Sequence, residues 1–442
     1  MTHPLAHASA HALRHASGAV PSAVTFEDGI HLDFAAARYY TKVPGAAPVA
    51  AAFTTIFAFT GDNLSKYRGA SGLLIPSVTN TPRIEYDAGG AVRGLLIEGS
   101  RINLALHSED YTAHATLGLN AIGANAIVSP DGAVTAELLS EDTSTGAHRV
   151  RQALDVTIGA NATYTMSHFV KAKERTFCSL RLADSTFASD VNASFNLSTG
   201  ALISVSHTGV GSGEAATITP YANGWYRITL TGALNGGFTA ARPLLELNNA
   251  ASNPSYTGDG TSGLYAWGEQ FELGAFPSSY IPTTAASVTR AGEVATRTVG
   301  AEFTKNVAET TIVNFAPEFT PGAATGLNVL WAVDANGILA SFNNNNNQAS
   351  MFDGTNTAVS NVAALAAGTF AKFGTAYDGG GMSAVMNGGT PGTAAFDGTM
   401  GAAATVNLGS NAAGASPFFG WIKRLDAYPS RKSNSEVQAR TA

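Results

Sequence analysis

The sequence predicts an all-β chain: a β-rich N-terminal region, then two antiparallel β-sandwich domains, then one short C-terminal helix. Three observations carry this. Runs of alternating apolar and polar residues recur along most of the 442 residues, the period-2 signature of half-buried strands. The 47 glycines fall largely between those runs, with Asn and Asp, where turns need them. Finally, 78 residues are alanine, so much of the 45% hydrophobic content is small. That composition fits thin sheets anchored by a few Phe, Tyr, Trp and Leu.

The same arithmetic excludes several function classes. Charged residues are 13% and show no heptads, which argues against a coiled coil or a charge-driven disordered chain. The formal charge of −7 comes with scattered Lys and Arg, whereas nucleic-acid binding needs clustered cations. No run of 18 apolar residues occurs, so no membrane insertion is expected. Residues 1–20 lack a basic start and an apolar stretch, so no signal peptide is expected. Cys178 is the single cysteine, which rules out a disulfide framework and a thiolate zinc site. No metal and no cofactor is expected.

Taken in order, residues 1–28 form a His-rich arm, either flexible or ordered by a partner. His3, His7, His11 and His15 recur every fourth residue, which on a helix would stack them along one face. That stripe is open to two readings, a metal- or pH-sensitive face or a loose terminus awaiting a partner. Residues 29–105 read as hairpin-rich. Ile30–Phe34 alternates, Thr55–Thr60 reads as a strand, and Gly72–Ile75 ends at Pro76. Pro82–Asp87 and Val92–Glu98 flank an Ala88-Gly89-Gly90 turn and predict a hairpin. Residues 106–283 carry seven alternating runs: Tyr164–Val170, Phe177–Leu182, Val191–Leu197, Ala201–Ser206, Gly224–Thr231, Pro243–Asn248 and Leu264–Leu273. They predict the first sandwich. Residues 284–300 hold little large apolar material and read as a linker. Residues 301–442 carry further strands at Thr310–Phe315, Leu327–Val333, Phe370–Thr375, Met382–Met386, Thr405–Leu408 and Phe418–Tyr428. The Asn343–Asn347 run caps a hairpin, and Ser433-Asn-Ser-Glu436 is a capping box opening the final helix.

Four segments carry a resemblance. TPRIEYDAGGAVRGLLIEGSRINL (Thr81–Leu104) resembles a segment common in tail-fibre and head-spike type proteins of tailed bacteriophages and prophages, where it leads into carbohydrate-binding-like sandwiches. NGWYRITLT (Asn223–Thr231) and YAWGEQFELGAFPSSYIPT (Tyr265–Thr283) resemble an inner strand and the closing strand and exit of such modules. GWIKRLDAYPSRKSNSEVQ (Gly420–Gln438) is similar to the close of a concanavalin-like (LamG-like) jelly roll. Each motif is short; their order is more specific than any one of them. The resemblance implies a virion-attachment region at 29–105, a carbohydrate-binding-module-like sandwich at 106–283 and a jelly roll at 301–442. It further implies virion partners through the N-terminal region and a homo-oligomer, with a trimer as its usual form.

Catalytic patterns were sought against these strands. A jelly-roll glycoside hydrolase needs two carboxylates on one strand face, hence at even spacing. Glu269 and Glu272 are three apart and face opposite sides, and the acids beyond residue 300 are dispersed. No Gly-Lys pair, G-x-S-x-G or H-E-x-x-H occurs, so no phosphate loop, nucleophile elbow or zincin is present. Binding remains. Sugars are held by aromatic faces and planar polar groups. Tyr226, Ile228 and Leu230 share a core face, which leaves Trp225 and Arg227 on the other, either as a sugar platform or covered by a loop or subunit. Tyr265, Trp267, Phe271 and Leu273 read as core, with Gln270 and Glu272 opposite, available to hydroxyls or simply solvated. Trp331 reads as core with Val329 and Val333. Trp421 aligns with Phe419, Lys423 and Leu425, a mixed face, and Phe418 and Phe419 suit an interface.

The expected function is a non-enzymatic virion structural protein, a tail fibre or head spike, binding host-surface glycans. It would be assembled in the host cytoplasm and reside in the virion. Two alternatives stand beside it: a structural decoration or adaptor protein without glycan binding, and a polysaccharide depolymerase.

Overall fold

In the computed structural model, residues 27–300, 308–320, 327–333, 339–343, 348–361, 365–397, 405–411 and 416–442 are described. The histidines of the N-terminal arm lie outside them. The all-β class holds: strands build two sandwiches, and the chain ends in a helix at Asn434–Thr441. That helix opens on the expected capping box, with Ser433 and Glu436 each accepting from the other's backbone N–H.

The first sandwich pairs two sheets. One runs through Ala115–Leu117, Thr145–Arg151, Ala240–Asn248, Phe177–Ala183, Asp190–Asn196 and Ala201–Thr208. The other runs through Gly123–Val128, Val134–Ser140, Gly263–Leu273, Thr163–Ala172, Tyr226–Leu234 and Gly211–Pro220. Alternation works as the sequence demands. Val150, Leu180, Val191, Phe195, Leu245 and Leu247 from the first sheet meet Met166, Ile228, Leu230 and Phe271 from the second in one buried cluster.

The second sandwich is assembled from both ends of the chain. Its larger sheet runs Val49–Ala50, Arg38–Lys42, Gly29–Asp33, Gly420–Tyr428, Ala308–Pro317, Ala371–Asp378, Gly381–Met386 and Gly392–Ala394. Leu32 stands opposite Leu425, and Ile30 opposite Ala427. The facing sheet runs Thr357–Asn361, Gln348–Phe352, Leu339–Asn343, Leu327–Val333, Thr405–Leu408, Val294–Thr298 and Ala58–Thr60. The Val92–Ile97 strand pairs with Gly420–Tyr428 on the larger sheet and carries Arg83–Tyr86 with it; residues 29–60 and 83–97 therefore complete this sandwich and are not a separate region. Nor is 284–300 a linker: Val288–Arg290 pairs with Arg101–Asn103, and Val294–Thr298 sits between two strands with Ala295 fully buried. Small side chains there mark close packing, which composition alone does not distinguish from flexibility.

Other local expectations divide the same way. The Arg83–Tyr86 and Val92–Ile97 strands form the expected hairpin, with Gly90 at φ 80° in its turn. Asn343 pairs with Gln348 across the asparagine run, whose residues 344–347 lie outside those described. Thr55–Thr60 is half wrong as a strand. Phe53–Ile56 is a single helical turn that buries Phe53 and Ile56 on one side, and only Ala58–Thr60 is extended.

A buried ionic network joins the two sandwiches. Arg83 donates to Glu98 at 2.6 Å, to both oxygens of Glu293 at 2.5 Å and to Ser279 at 2.7 Å. Beside it Phe276 packs on Phe319 and Phe419 at 4.8 and 5.2 Å, with Arg101 over Phe276 and Phe419. Phe419 thus serves the interface between sandwiches, whereas Phe418 lies in the second core.

Candidate functional site

The structure buries all five residues that the sequence nominates for glycan contact. Trp225 is fully buried, its Nε1 donating to the Val128 carbonyl at 3.1 Å. Arg227 donates to Ser167 Oγ at 3.0 Å and lies 5.6 Å from the Phe169 ring centre. Both do sit opposite the Ile228 and Leu230 core face, as expected. That second face, however, is covered by the chain itself. Leu74, Tyr221 and Tyr280 pack there with Trp225, Phe169 and Trp267, and Lys66 stands 4.8 Å over the Trp267 ring. No platform is exposed.

Gln270 and Glu272 are also at 0% exposure, which corrects the expected solvated face. Gln270 accepts from the Ile281 N–H at 2.7 Å, and Glu272 accepts from the Ser278 N–H and hydroxyl at 2.8 and 2.7 Å. They lock the exit segment to the strand. Trp421 is buried against Leu96 and Ala316, donates to Glu85 and lies under the Arg93 guanidinium at 3.6 Å.

Two bulges explain the misread faces. Gly268, at φ 65°, interrupts the pairing of Gly263–Leu273 with Thr163–Ala172, and an extra residue reverses the alternation. Tyr265 and Trp267 therefore face the outer cluster while Phe271 faces the inter-sheet core, and Leu273 is 55% exposed. Glu269 turns inward to His114, at 2.6 Å, and Glu272 outward, so the two acids do face opposite sides. A second shift, near Asn314 and Phe315, puts Ile422 and Leu425 in one core and Trp421 in another.

The functional candidate lies on the opposite outer face of the first sandwich, where residues alternate with the core positions of the Thr145–Arg151 sheet. Register aligns them in two rows across five strands. One row is Arg149, Glu246, Ser179, Ser194 and Ser204; the next is Arg151, Leu244, Arg181, Asn192 and Ser206. The floor is polar yet closed to solvent, with Glu246 at 1% and Asn248 at 0%. Asn248 donates to Ser179 at 2.7 Å, and the Ser179 and Ser194 hydroxyls are 2.9 Å apart. Glu246 Oε2 and Asn248 Oδ1 accept no hydrogen bond from the protein. Burying acceptors without donors costs free energy. Burial accordingly raises the Glu246 pKa above its ordinary value, against the pull of Arg181 and Arg149.

Arginines form the rim. Arg149 Nη1 is 3.6 Å from Glu246, Arg181 Nε donates to Asp190 at 2.9 Å, and Arg242 Nε donates to Asp155 at 2.6 Å. All three guanidiniums surround the Phe187 ring, at 4.5, 5.3 and 5.3 Å from its centre. Phe187 adopts φ 62°, an unusual state for an aromatic residue. Asp184 holds that loop by accepting from the Thr186 and Ser189 N–H groups. The Arg149 and Arg181 side chains keep 19% and 22% exposure, so this face meets solvent through them. Its chemistry is that of a polar surface: planar donors at the outside and unfilled acceptors beneath.

None of these residues was singled out from the sequence, where the search followed aromatic rings. The available signal was polar residues at period 2 on several strands: Arg149 and Arg151, Ser179 and Arg181, Asn192 and Ser194, Glu246 and Asn248. Among the described residues, no group of three or more His, Cys, Asp and Glu is placed to hold a metal.

No family model matches the chain, and no curated protein sequence matches it. Among solved structures, the CBM40 module of the Ruminococcus gnavus IT-sialidase, bound to alpha2,3 sialyllactose, is 18% identical over 31% of this chain and 83% of its own, with a TM-score of 0.27. Trypanosoma rangeli sialidase with sialic acid is 12% identical, covering 74% of this chain, which spans 61% of that enzyme; the TM-score is 0.27. The LG4-5 domains of the mouse laminin alpha1 chain are 10% identical over 66% of this chain and 88% of their own, at 0.23. At these scores the likenesses assign neither a fold family nor a ligand.

Proposed function

We propose that this chain is a non-enzymatic virion structural protein, a tail fibre or head spike, that binds host-surface glycans through the outer face of its first sandwich. The virion role rests on the Thr81–Leu104, Asn223–Thr231, Tyr265–Thr283 and Gly420–Gln438 resemblances and their order. The binding role rests on one observation: Glu246 and Asn248 present buried acceptors with no protein donor beneath a rim of guanidiniums. Sugar hydroxyls are the donors that Glu246 Oε2 and Asn248 Oδ1 lack, and reaching them requires the rim side chains to move aside, since both atoms are closed to solvent. In this reading the histidine arm and the oligomeric partners serve attachment to the particle, and the protein acts without cofactor or metal.

A glycan array probed with the full chain, and with Glu246→Gln and Asn248→Ala, tests the binding role. Binding that falls at least about tenfold in both variants, with melting temperatures kept, supports it. Equal binding by all three proteins places any glycan site elsewhere. The burial of Trp225, Trp267, Trp331 and Trp421 favours a second reading, decoration of the particle without sugar binding. An array with no bound glycan, together with tight incorporation into particles, selects that reading.

A further inference from the structure

We infer that this outer face selects acidic glycans, those whose sugars carry a carboxylate, with Arg149 as the residue that reads the acid. This deepens, and rests on, the glycan-binding reading above. Around this face stand four guanidiniums, Arg149, Arg151, Arg181 and Arg242, and four carboxylates, Asp155, Asp184, Asp190 and Glu246. The net charge is balanced, so an incoming acid is selected by the arginine that is least committed to a carboxylate of the protein.

The arginines differ in how far they are committed. Arg242 is tied to Asp155 and to the Ser185 carbonyl at 2.6 Å, and Arg181 to Asp190. Arg149 stands 3.6 Å from Glu246, and is otherwise stacked on Phe187, with its side chain 19% exposed. Desolvation pulls its pKa below the usual guanidinium value, and Glu246 pushes it back up. A guanidinium takes a carboxylate through two parallel N–H donors, which an ammonium does not reproduce. The ring hydroxyls of the same sugar then donate to Glu246 Oε2 and Asn248 Oδ1. Acid at the rim and hydroxyls at the floor use both halves of the site.

The test is equilibrium binding of the full chain to oligosaccharides bearing sialic acid, glucuronate or galacturonate, each beside its carboxyl-reduced counterpart. Arg149→Ala and Arg149→Lys are measured in parallel, with a melting curve for each protein. The inference expects at least one acidic member to bind. It expects a loss of about tenfold or more on carboxyl reduction and on Arg149→Ala, little rescue by Arg149→Lys, and weakening with added salt. If the reduced glycan binds as well as the acid, the acidic class is wrong while the glycan-binding reading stands. If acid selectivity survives Arg149→Ala in a folded protein, the assignment to Arg149 is wrong. If no glycan of either kind binds here or on the wider array, both readings fall. Should Arg149→Ala unfold, Arg149→Lys and the carboxyl-reduction comparison decide the matter.

Discussion

Glu309 shows how far burial alone moves a single side chain in this protein. It lies in the second sandwich, accepting from Thr311 Oγ1 at 2.7 Å, Trp331 Nε1 at 3.0 Å and the Tyr377 hydroxyl at 3.2 Å. Burial pushes its pKa up from 4.5 to about 7. The folded state therefore holds this proton more tightly than the unfolded chain. Its contribution to stability is complete below pH 4.5 and is lost as pH rises towards 7, by roughly 3 kcal/mol. Glu309→Gln, neutral throughout, is expected to gain on the wild type as pH rises, in melting temperatures taken from pH 4.5 to 8. Parallel curves would mean that no buried proton is held. Trp225→Ala makes the second residue-scale prediction. Emptying that site should cost roughly 3–5 kcal/mol in a denaturant titration, while the folded variant keeps its glycan affinity. A selective loss of binding would restore Trp225 as a sugar platform. Of the two readings the sequence offered for Trp225, platform or covered ring, the covered one holds. What covers it was not legible, because Leu74 and Tyr280 come from segments far along the chain.

Strands were the most legible elements, and bulges the least. Period-2 patterning identifies Thr163–Ala172, Phe177–Ala183, Asp190–Asn196 and Ala240–Asn248, with ends displaced by up to three residues, because one face of each meets the core. The weakly apolar Thr145–Arg151 and Gly211–Pro220 passed unread, since few large side chains mark them. Gly268 could be read as any glycine in a strand, and only the partner strand reveals that it shifts register. Between elements, the Arg83 network fixes the hairpin, the exit segment and the Glu293 strand connection together. Arg83→Ala leaves the buried Glu293 without its cation and Glu98 with Arg290 alone, at 3.7 Å. It is expected to destabilise the protein by roughly 3–5 kcal/mol, read as a shift in the denaturation midpoint. A change below about 0.5 kcal/mol would show that the network is solvated and of little weight.

At the scale of the whole molecule, the second sandwich is discontinuous: residues 29–60, 83–97 and 294–442 supply its two sheets, and the first sandwich is inserted between them. Reading along the chain naturally divides it at composition changes, and that division fails where strands from both ends pair. The pairing of Gly29–Asp33 with Gly420–Tyr428 has no local sequence signal. It predicts that a fragment of residues 294–442 lacks a cooperative melt, because Leu32, Phe34, Phe57, Leu95 and Ile97 are missing from its core, and that adding residues 27–97 in trans restores one. An independent melt of the fragment would contradict this architecture. The arrangement also accounts for the site. The inserted sandwich buries its aromatic outer face against residues 66–76 and 276–281 and leaves its polar outer face to ligands. The most direct measurement is therefore a diffraction structure of the full chain with a bound acidic oligosaccharide. The account predicts the sugar carboxylate against Arg149 and its hydroxyls on Glu246 and Asn248. A sugar seated on the second sandwich, with this face unchanged, would contradict it.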